Sequence, residues 1–254
     1  LSTGGTSVES GRSCGPCGRE SGTASYSDCA RCLWIATGPT CFLNRNLLLS
    51  GQVLFHFGLD MKTLTPQDLI PHDEYERQRE PYRQTIIELK RRRRISLGEK
   101  ITMVFENRET VRFQIQEMIR VERIFDPQKI QEELDVYNAL LPAPGELSAT
   151  LLIELTDPDT MKHWLDLFMG LDHGQKVSLR AGGDVVYGEF EGGHSHETKI
   201  SAVHFVRFRP TPAMVTAIAD QAARVALTVH HAGYGAEAEV PWVTRQEWLA
   251  DLRQ

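Results

Sequence analysis

Residues 100–123, Lys100-Ile-Thr-Met-Val-Phe-Glu-Asn-Arg-Glu-Thr-Val-Arg-Phe-Gln-Ile-Gln-Glu-Met-Ile-Arg-Val-Glu-Arg123, change period part-way along. The first six residues are a short apolar run with β-branched members, the pattern of a buried strand. Asn107 can then cap a helix, because its side chain can accept a backbone N–H that the first turn leaves unbonded. From there to about Arg123 the apolar positions Phe113, Ile115, Met118, Ile119 and Val121 surround most of a helix. The polar residues between them, Gln114, Gln116, Glu117 and Arg120, are therefore expected to be partly buried and to need partners. A strand leading through a cap into a buried helix is the unit from which the rest is read.

Before this unit, Thr65-Pro66 offers a cap and a proline at the first helical position. Residues 73–94 read as helix, with a kink or fresh start expected at Pro81. Ile86, Ile87 and Leu89 form its stripe, Lys90-Arg91-Arg92-Arg93-Arg94 closes it, and Gly98 ends the segment. After the unit, Asp126-Pro127 opens a helix to about Leu141, residues 149–155 form an apolar strand, and Asp157-Pro158 starts a helix that ends at Gly170. Residues 177–179, 185–190 and 202–208 read as short strands between Gly-rich turns. A helix at 212–223, a strand at 226–229 and a helix at 244–252 complete the chain. Helices dominate the first half and strands the second, which predicts one α+β domain from Met61 to the C-terminus rather than regular βαβ.

The first sixty residues have a different character. All five cysteines, Cys14, Cys17, Cys29, Cys32 and Cys41, precede Met61, and the same stretch lacks lysine and is dense in Ser and Gly. One reading makes residues 1–60 an unstructured leader or translated upstream DNA, with Met61-Lys62-Thr63-Leu64-Thr65 as the natural start. The other makes Cys14-x2-Cys17 and Cys29-x2-Cys32 a zinc knuckle, since two thiolate pairs suit tetrahedral Zn²⁺. Against the knuckle, residues 18–28 offer only Tyr26 as a hydrophobic strand residue.

Charge bounds the partners. The net charge is -6 and the pI about 5.9, which argues against general attraction to nucleic acid or anionic membrane. The most apolar run, residues 47–59, is interrupted by Ser50, Gly51, Gln52 and His56 and is too short to span a bilayer. A cytoplasmic location is the default expectation.

Three constellations carry possible chemistry. Residues 90–94 could grip phosphates, or could simply complement the dipole at a helix C-terminus. No aromatic residues interleave with them, which leaves bases no stacking platform and argues against nucleic acid as a partner. Asn107, Arg108, Arg112, Gln116 and Glu117 could form a ligand site for a small anion at a helix start, or a structural network compensated by Glu106 and Glu109. Glu189, Glu191, His194 and His196, with His204 further on, could hold a divalent metal, or could be solvated at a hairpin tip around Gly192-Gly193. His230-His231 is a weaker candidate of the same kind. The chain lacks G-x-S-x-G, a P-loop and G-x-G-x-x-G, and has no cysteine after Met61. By motif, then, residues 61–254 indicate no cofactor and no catalytic residue.

Met61-Lys-Thr-Leu-Thr-Pro-Gln-Asp-Leu-Ile-Pro71, Phe113-Gln-Ile-Gln-Glu-Met118 with Arg120 and Glu122, and Lys199-Ile-Ser-Ala-Val-His-Phe-Val-Arg-Phe208 together resemble the bacterial domain-of-unknown-function family DUF3501. The resemblance spans 61–253. It departs from the family pattern where Asp-His-Pro is expected to end a strand and His230-His231-Ala232 stands instead. Genes of the family often neighbour those of rubrerythrin and of an iron–sulfur oxidoreductase, so the resemblance implies a role near peroxide defence or electron transfer but no reaction. The resulting expectation is a non-catalytic accessory or adaptor protein for such a redox partner. An enzyme or anion binder at 107–120 is the alternative, and a nucleic-acid binder through 90–94 the weaker one.

Overall fold

The computed structural model describes residues 63–191 and 200–253. A one-turn 3-10 helix, Pro66–Asp68, is closed by reciprocal bonds between Thr65 and Asp68. Helix α1 (His72–Arg92) follows, then strands β1 (Arg94–Leu97) and β2 (Ile101–Glu106), helices α2 (Arg108–Glu122) and α3 (Pro127–Asn138), and strand β3 (Leu147–Ile153). The second half contains α4 (Pro158–Phe168), β4 (Val177–Ala181), β5 (Asp184–Tyr187), β6 (Glu189–Phe190), β7 (Val203–Phe208), α5 (Pro212–Ala219), β8 (Val225–His231), β9 (Tyr234–Glu239) and α6 (Trp242–Leu252). This is the expected α+β class.

Two antiparallel sheets organise these elements, in the orders β1-β2-β3-β7-β6 and β5-β4-β8-β9. Strand periodicity splits the first sheet into two faces. One face carries Met103, Leu151 and Val206, with Phe105 and Ala149, and shares the main core with Val177, Leu179, Leu227 and Val229 of the second sheet. The opposite face carries Val104, Leu152 and Phe205, and Phe205 packs with Val111, Ile115 and Met118 of α2 and Leu134 and Tyr137 of α3. The molecule is thus layered as helices, sheet, apolar core, sheet. Both faces of β2 and β3 are buried along their whole length, and the polar residues of the helix-side face are answered there, the Thr150 hydroxyl donating to the Glu106 carboxylate at 2.9 Å.

Several expectations are corrected. Helix α1 runs through Pro81 without a break, the proline lying on the exposed side, where the carbonyl it leaves unbonded can face water. The helix stops at Arg92, and Arg94–Leu97 is a strand, so the cationic run straddles two elements. Residues 185–190 form two strands in different sheets, because the chain turns a corner at Gly188. A Cβ there would lie 2.5 Å from Val206 Cγ1, so only glycine lets the corner close. Residues 234–239 form an edge strand that the sequence reading left out. Among the described residues, no helix is long and apolar enough to cross a membrane.

Candidate functional site

The strand-to-helix junction is built as its sequence suggests. Asn107 Oδ1 accepts the Thr110 N–H (3.0 Å), and Thr110 Oγ1 accepts the Asn107 N–H (2.9 Å), forming a reciprocal cap. One turn on, Arg112 donates to Glu109 (2.8 Å) and to the Tyr82 hydroxyl (3.2 Å) and lies over the Tyr82 ring. Arg108 pairs with Asp68 at 2.8 Å. That bond, with the Thr65 N–H beside it, pulls the Asp68 carboxyl down to about 2.

Two of the expected site residues lie deeper. Gln116 clamps the backbone of Ile70, accepting its N–H at 3.0 Å and donating to its carbonyl at 2.9 Å. Glu117, 2% exposed, accepts two bonds from Arg79 (both 2.7 Å), one from Tyr75 (2.7 Å) and one from Arg120 (3.1 Å). Burial raises the Glu117 carboxyl, but the bonds from Arg79 and Tyr75 outweigh it and hold it below the ordinary glutamate range. Burial, and after it the neighbouring Glu117 carboxylate, pushes the Tyr75 phenol well above its ordinary value. Asn107 thus caps the helix that carries Arg108, Arg112, Gln116 and Glu117, and each of the five is bonded within the protein. Arg108 and Arg112 keep about a third and a quarter of their side chains exposed, at 33% and 26%.

The cationic run does not form a patch. Arg93 is 0% exposed and donates to the Phe105 and Glu106 carbonyls and to Asp251, locking α6 against β2. Burial raises the Asp251 carboxyl despite that guanidinium. Arg92 faces Glu247 and Arg94 faces Glu154. Lys90, Arg91 and Arg92 occupy the last turn of α1, where their charge complements its dipole.

His194 and His196, like Cys14, Cys17, Cys29 and Cys32, lie outside the described residues. Among the described residues, no group of three or more His, Cys, Asp or Glu side chains is arranged to hold a metal. His204 is buried with Nε2 on the Ser201 carbonyl (2.8 Å) and Nδ1 4.0 Å from Asp172. His231 sets Nε2 on the Met169 carbonyl (2.9 Å), while His230 is exposed. An open cleft of about 580 Å³ at the sheet corner is lined by Asp172, Gly174, Gln175, Val185, Tyr187 and Phe190 among others.

Apolar surface is concentrated elsewhere. At the α2–α3 corner Val121 is 52% exposed and Phe125 63%, the highest value among the large hydrophobic residues described. Arg123 takes the left-handed conformation (φ 52°) that ends α2, and the Ile124 N–H returns to the Ile119 carbonyl at 2.9 Å. A non-glycine residue there costs on the order of 1 kcal/mol. This turn buries Ile124 and leaves Phe125 outward, edge-on to His72 at 5.1 Å.

The family described as "Protein of unknown function (DUF3501)" matches residues 63–252. The chain belongs to the DUF3501 family. A crystal structure of a novel protein of unknown function from Burkholderia pseudomallei K96243 is similar, with 32% identity and a TM-score of 0.68, covering 75% of this chain and 99% of that one. Comparison with curated proteins finds no match.

In this DUF3501 protein, reading from sequence missed Tyr75 and Arg79, which complete the Glu117 cluster from 42 and 38 residues away. It also missed Phe125, although an aromatic residue directly before the cap-and-proline pair Asp126-Pro127 is a readable sign of an apolar group in a turn.

Proposed function

We propose that this DUF3501 protein is a cytoplasmic, non-catalytic adaptor that docks onto an iron–sulfur oxidoreductase or a rubrerythrin through the α2–α3 corner. The observation that carries the reading is Phe125, held outward at 63% exposure by a strained turn. Aromatic side chains fixed on rigid turns are the usual anchors of protein interfaces, because they bury a large area at low entropic cost. Backbone strain of this kind also collects at functional positions. The class of partner comes from the gene neighbourhood that the family resemblance implies. The test is size-exclusion chromatography of the protein with purified rubrerythrin and, separately, with the purified iron–sulfur oxidoreductase. Co-elution with either that is lost in Phe125→Asp supports the adaptor; separate elution from both removes it.

A second reading keeps the start of α2 as a small-anion site. It is favoured by the partial exposure of Arg108 and Arg112, and a ligand there would displace Asp68 or Glu109. Anionic metabolites should then raise the melting temperature, and Arg112→Ala should remove the rise.

A further inference from the structure

Among the described residues, the four edges of the two sheets are not equally guarded. Strand β9 exposes Glu237 and Glu239, and its Tyr234 hydroxyl donates to the Leu97 carbonyl of the neighbouring hairpin (2.5 Å). Strand β1 begins with Arg94, facing Glu154, and β6 is only two residues long. Charge, a crossing contact and shortness are the devices that keep edges from pairing. Strand β5, Asp184-Val185-Val186-Tyr187, is four residues long and from Val185 onward carries neither a charge nor a crossing contact, and Val185 and Tyr187 are 41% and 45% exposed.

The hydrogen-bond register decides which peptide groups of β5 are free. Its partner β4 is joined by the two-residue turn Gly182-Gly183, with Ala181 opposite Asp184 and Leu179 opposite Val186. Gly188 donates its N–H to the Val177 carbonyl at 2.8 Å. In an antiparallel pair the bonded positions alternate, so Asp184, Val186 and Gly188 turn toward β4 while Val185 and Tyr187 turn away. No described residue bonds the outward groups of Val185 or Tyr187. The open cleft runs beside them.

We propose that two copies of the chain pair through β5, antiparallel, about a two-fold axis at Val186. The pattern is self-complementary about that residue. Val185 of one copy meets Tyr187 of the other, twice, and these are the positions whose N–H and C=O groups point outward. The pairing satisfies both outward donors and both outward acceptors of each copy. It places β-branched against aromatic side chains, a favourable cross-strand pair. Asp184, the one charge on the strand, already accepts from Thr211 (3.0 Å) and would face Gly188. No like charges oppose one another at the seam, although each copy carries a net charge of -6. The result is one eight-stranded sheet in place of two four-stranded ones, through an isologous contact of the kind that closes most homodimers.

The register gives a charge-swap test by native mass spectrometry and light scattering of the full chain at two concentrations. The expected result is a dimer that dissociates on dilution. Val185→Lys with Tyr187→Lys sets like charges opposite one another twice and should give a monomer. Val185→Lys with Tyr187→Glu sets opposite charges together at the same two places and should restore the dimer. Amide exchange at residues 185 and 187 of the unaltered chain should slow as concentration rises, a readout that does not depend on any variant folding. A monomer at both concentrations, with exchange that ignores concentration, overturns the proposal. So does a dimer that survives the double lysine change, or one that the lysine–glutamate pair fails to restore.

Discussion

The α1–α2 interface and the α2–α3 corner lie on the same helix and use their residues in opposite ways. At the interface, Glu117, Gln116 and Arg112 are the polar groups that sequence marks as chemically interesting, and each is bonded within the fold. At the corner, Val121 and Phe125 have no such polar chemistry and stay exposed. Buried charge must be answered internally or it costs several kcal/mol, so a helix wrapped in apolar residues recruits its polar ones to fasten its neighbours. Apolar side chains left outside have no such answer in the chain, and covering them is the gain a partner can supply. Polar density on this helix therefore marks how the helical layer is held, and apolar exposure marks where it meets something else.

Substitutions can separate the two regions. The largest effect is expected for Glu117→Ala, which leaves Arg79 and Tyr75 facing an empty site and should cost about 3–5 kcal/mol in urea unfolding, with partner binding retained in the fraction that folds. Gly188→Ala forces a Cβ onto Val206 and should cost about 1–3 kcal/mol by overpacking, again without touching the α2–α3 corner. Asn107→Ala removes the reciprocal cap of α2 and should cost about 1 kcal/mol. Phe125→Asp should change stability by no more than about 0.5 kcal/mol, since the site is exposed, while abolishing partner binding. If Phe125→Asp unfolds the protein instead, the corner is part of the core and the contrast fails.

Acid separates the regions in the same direction. The Glu117 and Asp68 carboxyls are both held below their ordinary values in the folded chain. A depressed folded value means the stabilisation is present above the unfolded carboxylate range, about 4, and is lost as the pH falls through the folded value. Asp251 has the opposite sign. Its carboxyl is raised by burial, so that residue destabilises the fold once the pH rises past the unfolded carboxylate range. Thermal melts between about pH 5 and pH 2 should show falling stability, and Glu117→Gln should flatten part of that fall.

Local chemistry was legible in the sequence and long-range chemistry was not. Asn107, Asp126-Pro127 and Asp157-Pro158 announce helix starts, because a cap bonds its own first turn, and all three sit where expected. Strand β1 was hidden because Arg93 and Arg94 continue a cationic run, and nothing local says that Arg93 turns inward to two carbonyls and Asp251. Strand β9 was hidden because Tyr-Gly-Ala-Glu-Ala-Glu has one aromatic and no β-branched residue, and it is held by β8 rather than by its own propensity. The candidate site was legible as a set of buried polar residues. The identity of their partners was not, because Tyr75, Arg79 and Ile70 reach α2 only after the chain has folded.

The most direct measurement is isothermal titration of purified rubrerythrin, and then of the iron–sulfur oxidoreductase, into three proteins: unaltered, Phe125→Asp and Glu117→Gln. Heat of binding is expected with one of the two partners for the unaltered chain and for folded Glu117→Gln, and none for Phe125→Asp. Binding by Phe125→Asp equal to that of the unaltered chain, or no binding by the unaltered chain to either partner, would contradict it.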